Sequence, residues 1–299
     1  MSTEKKAHKS GFVNIVGHPN VGKSTLMNAL VGERMSIITN KPQTTRHRIL
    51  GIVSEEGYQV VFSDTPGLIQ DPSYKMQERM NEYVKSTLED SDLMLLVADA
   101  TEKISDESAI FELLAKLKAP VFLLLNKIDL LPPKEQLEQL AAWSKKLDFA
   151  ELIPISALNR INTDLVLEKV IERMPEGPIY YPKEQFTDRP ERFFISEIIR
   201  EKILLNYHQE IPYSVEVVVE AFQEEPDITR ILANIYVARK TQKGILIGKG
   251  GQAIKRLGQD ARLAIQEFLQ TKVYLELHVK IKDNWRDDER SLNYFGYTS

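Results

Sequence analysis

The sequence contains no cysteine in its 299 residues. Disulfides and thiolate metal sites are therefore excluded. It also lacks a long apolar run. The longest, Leu93–Ala98 and Val121–Leu125, fall far short of the roughly 20 residues that span a bilayer as a helix. The first ten residues are polar and lysine-rich without an apolar centre, which is not the pattern of a secretory signal. No internal repeat or low-complexity tract is present. Beyond residue 190 the only histidines are His208 and His278, and neither sits in a metal-ligand spacing or beside a nucleophile. These absences argue against a disulfide-bonded, membrane-spanning or thiolate-metal chain. They point to a cytoplasmic protein, expected to be a monomer, with peripheral contact on the cytoplasmic side of a membrane left open.

What is present is a composition of 42% hydrophobic and 27% charged residues, ordinary for a globular chain. The length suits two domains of about 100–200 residues each. The formal charge of −4 hides an asymmetry. Residues 230–282 hold eleven Lys/Arg against three acids, a local charge of +8, so the remainder carries −12. A basic segment in an acidic chain suggests a polyanionic partner.

Residues 12–174 alternate short apolar runs with helical patterns. Strands are expected at 13–16, 49–54, 59–63, 93–98, 121–125 and 151–155. Helices are expected near 23–32, 76–89, 105–117, 134–147 and 162–174. This order predicts an α/β fold, a doubly wound and mostly parallel sheet with helices on both faces. The strands at 49–54 and 59–63, joined through Glu55-Glu56-Gly57, read as one antiparallel hairpin. Pro175, Gly177, Pro178, Pro182 and Pro190 then punctuate an aperiodic stretch. The expected division is a tail at 1–10, a first domain at 11–175, a linker at 176–190 and a second domain at 191–299. The second domain reads as a smaller α+β unit: a helix near 191–207, strands near 213–222 and 230–238, a glycine-rich turn, a basic helix near 251–270 and a strand near 272–282.

Five short motifs follow predicted strands in a fixed order. Gly17-His18-Pro19-Asn20-Val21-Gly22-Lys23-Ser24, followed by Thr25, fits G-x-x-x-x-G-K-[ST] between a strand and a helix. Such glycines let backbone amides wrap phosphates, the lysine reaches the β- and γ-phosphates, and the serine ligates Mg²⁺. Asp64-Thr65-Pro66-Gly67-Leu68 ends the strand forty residues beyond Ser24. There Asp64 is placed to hold Mg²⁺ through water and the Gly67 amide to sense the γ-phosphate. Asn126-Lys127-Ile128-Asp129 supplies a carboxylate, Asp129, that accepts from N1–H and the 2-amino group of guanine; adenine offers neither donor there. Lys127 is expected to lay its stem along the base and Asn126 to tie this loop to the phosphate loop. Ser156-Ala157-Leu158 is expected to offer a backbone amide to guanine O6. The aperiodic Lys41–Arg46 stretch holds the threonine that ligates Mg²⁺ in the GTP state, Thr45 by preference with Thr44 as the alternative. Lys23, Thr45 and Gly67 are the candidate catalytic groups; Ser24, Thr45 and Asp64 form the candidate metal set.

One position departs from the commonest GTPase pattern. The residue after D-x-x-G, often a water-orienting Gln, is Leu68. Slow intrinsic hydrolysis is expected, or charge compensation from elsewhere. Asn20 in the phosphate loop is a candidate ligand for K⁺.

Gly248-Lys249-Gly250-Gly251 lies at the centre of the basic segment, preceded by the apolar Ile245-Leu246-Ile247 and followed by the basic helix. A G-x-x-G loop between helices clamps about four nucleotides of single-stranded nucleic acid in KH domains. Lys255, Arg256 and Arg262 on the following helix, with Lys249, are candidate phosphate contacts. Trp285, Tyr294, Phe295 and Tyr297 read equally as base-stacking groups or as packing for the tail.

Taken together, Gly17–Ser24, the string from Lys41 to Arg48, Asp64–Leu68, Asn126–Asp129, Arg189-Pro190-Glu191-Arg192 and Gly244–Gly251 resemble the Era GTPase family over nearly the whole chain. The resemblance implies a P-loop GTPase domain followed by a type II KH domain. It further implies a GTP/GDP switch that binds the 3′ end of small-subunit ribosomal RNA, acts in assembly of the small ribosomal subunit and is also found at the membrane surface. Leu68 is typical of the wider group.

Overall fold

The computed structural model describes residues 8–39, 41, 43–69, 71–89, 91–102 and 109–297. Most of the N-terminal tail and the opening of the helix expected over 105–117 lie outside the described residues. The chain divides into two compact units. One comprises the chain through Ser36 with Thr45–Asp71 and Met80–Asp188; the other comprises Ile37–Thr44, Pro72–Arg79 and Arg189–Ser299.

The first unit is built on a sheet of six strands among the described residues: β1 (Lys9–Val16), β2 (Ile49–Glu55), β3 (Tyr58–Asp64), β4 (Leu93–Asp99), β5 (Val121–Asn126) and β6 (Glu151–Pro154). Their order is β2-β3-β1-β4-β5-β6. Only β2 runs antiparallel, because Glu56 and Gly57 leave room for nothing but a hairpin, and Gly57 takes φ 99° in that turn. The other strands pair in parallel, which requires crossovers. These include α1 (Lys23–Val31), α2 (Lys75–Glu89), α3 (Ala109–Leu114), α4 (Pro133–Trp143) and α5 (Thr163–Arg173).

Burial follows the two-residue period of each strand. Leu93, Leu95 and Val97 pack with Leu26 and Met27 of α1 and Val166 and Val170 of α5. Met94, Leu96 and Ala98 pack with Ile110 and Leu114 of α3 and Trp143 of α4. Because both faces are covered, β4 is buried at every residue. β1 lies between β3 and β4, so the strand order reverses beside its C-terminal end. Open α/β sheets bind ligands in the crevice at such a point, and the sequence motifs emerge there.

The second unit is centred on α6 (Glu191–Asn206), β7 (Val215–Glu225), β8 (Ile228–Val237), α7 (Lys240–Ile247), α8 (Gln252–Leu269) and β9 (Val273–Ile281), with a last helix α9 (Glu289–Tyr294). β7 and β8 pair antiparallel, β8 and β9 parallel. Leu257, Ala261 and Ile265, at helical spacing on α8, join Ile195, Ile199 and Ile203 of α6 and Ile231 and Ile235 of β8 in one core.

The tail packs. Trp285 is fully buried and donates from Nε1 to Ser214 O at 3.1 Å. Its ring meets Phe295 edge-on at 5.2 Å, and the buried Tyr297 donates to Glu216 Oε2 at 2.7 Å. The base-stacking reading of these three aromatics is thereby corrected; of the four, only Tyr294 is exposed. Nearby in this unit, the Arg286 guanidinium lies 4.3 Å over the Tyr74 ring and the Arg286 carbonyl accepts from Met76 N at 2.9 Å.

Candidate nucleotide site and nucleic-acid cleft

The phosphate loop links β1 to α1. Gly22 adopts φ 101°, and a Cβ there would lie 2.2 Å from Asn126 Nδ2, so both conformation and space demand glycine. Lys23 opens α1, is buried, and donates from Nζ to Gly17 O at 3.0 Å and His18 O at 2.9 Å. Burial lowers its pKa to about 8, and Asp64 opposes that shift. Burial, then Lys23, also lowers the pKa of His18. The loop thus holds a poorly solvated cation beside helix N-terminal amides, an arrangement suited to an anion.

Asp64, the last residue of β3, is buried. Its Oδ2 accepts from Ser24 Oγ at 2.7 Å and from Ser36 Oγ at 2.9 Å, and Ser24 Oγ lies 2.8 Å from Thr45 Oγ1. Thr44 Oγ1 instead donates to Lys41 O at 2.6 Å and lies 2.7 Å from Thr39 Oγ1. The structure therefore brings Thr45, not Thr44, to Ser24 and Asp64. Burial pushes the Asp64 carboxyl up, against the hydrogen bonds and Lys23. Its Oδ1 is buried with no hydrogen-bond partner among the described residues. One carboxylate with a bare oxygen and two hydroxyls fit a hard cation that keeps waters and takes phosphate oxygens for the rest, as Mg²⁺ does. No denser cluster of His, Asp and Glu occurs among the described residues.

Thr65 fixes the next turn by donating to Ile15 O at 3.0 Å, and Pro66 is buried behind it. A Cβ on Gly67 would lie 2.9 Å from Pro19 N, so the two loops approach within backbone contact. Leu68 packs on the apolar face formed by α3 and β5. Asn20, left-handed at φ 66°, is exposed.

Asn126 ends β5. Its Nδ2 donates to Val21 O at 2.8 Å and its Oδ1 accepts from Ala157 N at 2.9 Å. The expected tie to the phosphate loop is present in this geometry. The Ala157 amide, expected to face guanine O6, is engaged by Asn126. Ser156 is buried and Leu158 is exposed. Lys127 sits in the left-handed region at φ 65°, and its Nζ meets Asp99 Oδ2 at 2.5 Å. Burial acts to raise the Asp99 carboxyl, but hydrogen bonds from Lys127 and Thr101 hold it below the ordinary range. Asp129 is exposed in the turn Ile128–Leu130, free to present its carboxylate. Sequence reasoning missed Asp99 and Ser36. The position of Asp99 at the C-terminal end of the apolar strand Leu93–Asp99 was the available signal for the first; Ser36 lies in an aperiodic segment and left none.

In the second unit, Gly248, Gly250 and Gly251 adopt φ of 73°, 60° and 76°, values that an L side chain rarely takes. They turn α7 into α8. Gly248 and Lys249 line a cleft of about 380 Å³ together with Asn206, Tyr207, Gln252 and Arg256. The cleft therefore combines two of the expected cations with a glycine turn. Lys255 and Arg262 are not part of its lining, and Arg262 Nη1 is bonded to Gln266 Oε1 at 2.8 Å.

Residues 12–127 match the family described as 50S ribosome-binding GTPase, and residues 210–286 match the KH domain family. GTPase Era of Heliobacterium modesticaldum is 45% identical over 291 residues, covering 97% of each chain. GTPase Era of Geotalea uraniireducens is 46% identical over 98% of this chain and 99% of its own. The chain belongs to the Era GTPase family. Among solved structures, Era in complex with MgGDPNP and nucleotides 1506–1542 of 16S ribosomal RNA superimposes with a TM-score of 0.92 at 37% identity, covering 98% of this chain and 100% of that one. An Aquifex aeolicus Era variant bound to GDP and AlF4⁻ gives 0.91 at 36% identity over 97% and 100%. The Era frame thus combines a P-loop GTPase fold with a KH domain, and this chain is a GTPase. Among the described residues no helix is long and apolar enough to cross a membrane.

Proposed function

We propose that this Era-family chain is a GTP-hydrolysing switch whose KH cleft binds the 3′ end of small-subunit ribosomal RNA during assembly of the small subunit. The observation that carries the switch is the convergence of Ser24, Thr45 and Asp64 above the buried Lys23. Thr45 lies on an aperiodic segment, so its arrival beside Ser24 makes loop conformation depend on what fills the site.

Ser24, Thr45 and Asp64 would together hold Mg²⁺, the two hydroxyls and the carboxylate being the oxygen donors. Mg²⁺, when bound, neutralises charge on the β- and γ-phosphate oxygens. Lys23 exchanges its two carbonyl partners for phosphate oxygens and regains the charge stabilisation that burial removed. The Gly67 amide donates to the γ-phosphate side, and the residues Gly17–Thr25 wrap the remaining oxygens with backbone donors. Asp129 selects guanine, and the Asn126 bridge keeps base loop and phosphate loop in register. Thr65, bonded to Ile15 O, and Leu68, packed on an apolar face, offer no side chain that orients the attacking water. Charge compensation by K⁺ at Asn20 fits this gap. Equal turnover in K⁺ and Na⁺ would remove the cation from the scheme.

In the KH unit, Gly248–Gly251 lets the RNA backbone approach closely while Lys249, Arg256, Lys255 and Arg262 supply phosphate attraction. The testing experiment titrates a short RNA copying the small-subunit 3′ end, with a scrambled control at fixed salt, into protein loaded with GDPNP or GDP. Tighter, sequence-dependent binding in the GDPNP form is expected. Equal binding of both RNAs, or of both nucleotide forms, refutes the switch.

A further inference from the structure

The segment Ile37–Thr44 belongs to the same compact unit as α6 and the KH cleft. Within that unit Lys41 Nζ donates to the carbonyls of Leu204 and of Tyr207, the latter at 2.6 Å. These carbonyls belong to the last turn and C-cap of α6, where helices leave acceptors without intrahelical donors and carry partial negative charge. A lysine is therefore the complementary cap. Three residues on, the Thr44 carbonyl accepts from Arg200 Nη2. Arg200 is buried and paired with Glu197 at 2.5 Å, so its guanidinium is a fixed anchor.

The capped end of α6 is also a wall of the RNA cleft. Asn206 and Tyr207 line it beside Gly248, Lys249 and Arg256. The Tyr207 hydroxyl donates to Leu246 O at 2.8 Å, at the end of α7 directly before the glycine turn. Burial pushes this phenol up to about 12, so it remains a donor at any physiological pH. Asn206 Nδ2 donates to Asp260 Oδ2 at 2.9 Å on α8. The last turn of α6 thereby braces both helices that flank the glycine turn.

We propose that Lys41 is the positioning residue through which nucleotide state reaches the RNA cleft. This rests on the switch reading above. Thr45 and Thr44 are adjacent in the chain: one is held at Ser24, the other at Arg200. Ordering of Thr45 by GTP also orders Lys41 on the α6 cap, and the cap holds Asn206 and Tyr207 in cleft geometry. The coupling is reciprocal: RNA that fixes the α6 end favours the GTP-competent position of Thr45. The sequence set Lys41 in the switch segment without assigning it a role.

The test measures RNA affinity of the full chain loaded with GDPNP or GDP, for wild type, Lys41→Met and Lys41→Arg, with GDPNP affinity measured alongside. The expected result is that Lys41→Met lowers the GDPNP-to-GDP affinity ratio by about fivefold or more, the scale of ordinary allosteric coupling. GDPNP affinity in the absence of RNA changes less than about twofold, since Lys41 Nζ is committed to the Leu204 and Tyr207 carbonyls. Lys41→Arg, which also donates to carbonyls, restores most of the ratio; a merely structural role would not separate the two variants in this readout. A ratio unchanged in Lys41→Met overturns the relay while leaving the switch standing. A wild-type ratio of one overturns both. Circular dichroism melts of the three proteins identify any loss of ratio that comes from unfolding, and such a loss counts against the proposal.

Discussion

Asn126 donates to the Val21 carbonyl at 2.8 Å from the far side of the phosphate loop. The bond joins the loop that reads the base to the loop that holds the phosphates. Asn126 is buried and its other amide atom is satisfied by Ala157 N. Asn126→Ala leaves two buried backbone groups without partners, each costing about 1–3 kcal/mol. The expected outcome is a loss of GDP affinity of about tenfold or more together with a lower melting temperature. Fluorescent-GDP titration checks it; full affinity would mean that the bridge is incidental.

Asp64 yields a pH prediction. Its carboxyl is pushed above the ordinary 3.8, chiefly by burial. A group raised in the folded state stabilises through its protonated form. That contribution is complete below the unfolded value and is lost as pH rises through the folded one. Nucleotide-free protein therefore loses that contribution as pH rises, although the hydroxyls of Ser24, Ser36 and Thr45 and the Lys23 ammonium partly favour the charged form. Asp64→Asn should melt about 2–4 °C higher than wild type at pH 7 without nucleotide, with the gap closing toward pH 4. The same variant should lose the Mg²⁺ dependence of GDP binding. A wild-type protein more stable than Asp64→Asn at pH 7 contradicts this reading.

Lys23 runs in the opposite sense. Burial lowers its pKa to about 8, and a bound phosphate favours the charged form. Nucleotide binding then takes up a proton above pH 8, so affinity falls as pH rises from 8 to 9. Lys23→Met should bind weakly and with a flatter profile across this range. Isothermal titration in two buffers of different ionisation heat reads the proton uptake directly; none at pH 8.5 defeats the assignment.

The parts of this site that were legible in the sequence are those written in contiguous motifs. Gly22, Lys23, Ser24 and Asp64 announce themselves because phosphate wrapping needs fixed residue types at fixed spacing. The unbroken apolar run Leu93–Ala98 likewise marks a buried strand, though not which neighbours it pairs with. Illegible were the partners set by tertiary approach. The stem of Lys127 is expected along the base, but nothing in the sequence signals that its ammonium meets Asp99 at 2.5 Å. Ser36 reaches Asp64 from an aperiodic stretch. The proline-punctuated stretch gave no periodic signal, yet Phe186 O accepts from Ile52 N at 2.8 Å and Asp188 Oδ1 from Leu50 N at 3.1 Å. Tail aromatics were ambiguous because burial and base stacking select the same side chains.

Gly67 approaches Pro19 so closely that a Cβ would meet Pro19 N at 2.9 Å. Backbone cannot yield as a flexible side chain can, so Gly67→Ala should hold the two loops apart. The product GDP needs no contact from Gly67, whereas the γ-phosphate does. The expected result is GDP affinity within about twofold of wild type and turnover at least about tenfold lower, the size of a lost transition-state donor. Single-turnover hydrolysis with saturating GTP separates the two effects.

The KH cleft distinguishes among the basic residues of the second unit. Lys249 and Arg256 line it, while Lys255 and Arg262 do not. Among the described residues Arg256 is restrained only by an exposed pair with Asp260 at 4.0 Å, and an exposed pair is worth little. Arg262 is already hydrogen-bonded to Gln266. Alanine at Lys249 or Arg256 should each weaken RNA binding at all sequences and reduce the slope of log affinity against log salt by about one. Alanine at Lys255 or Arg262 should lower affinity less and leave the slope nearly intact. Four variants titrated at three salt concentrations decide the matter. Equal slopes for all four would make the basic helix a diffuse electrostatic surface and remove the special standing of the cleft.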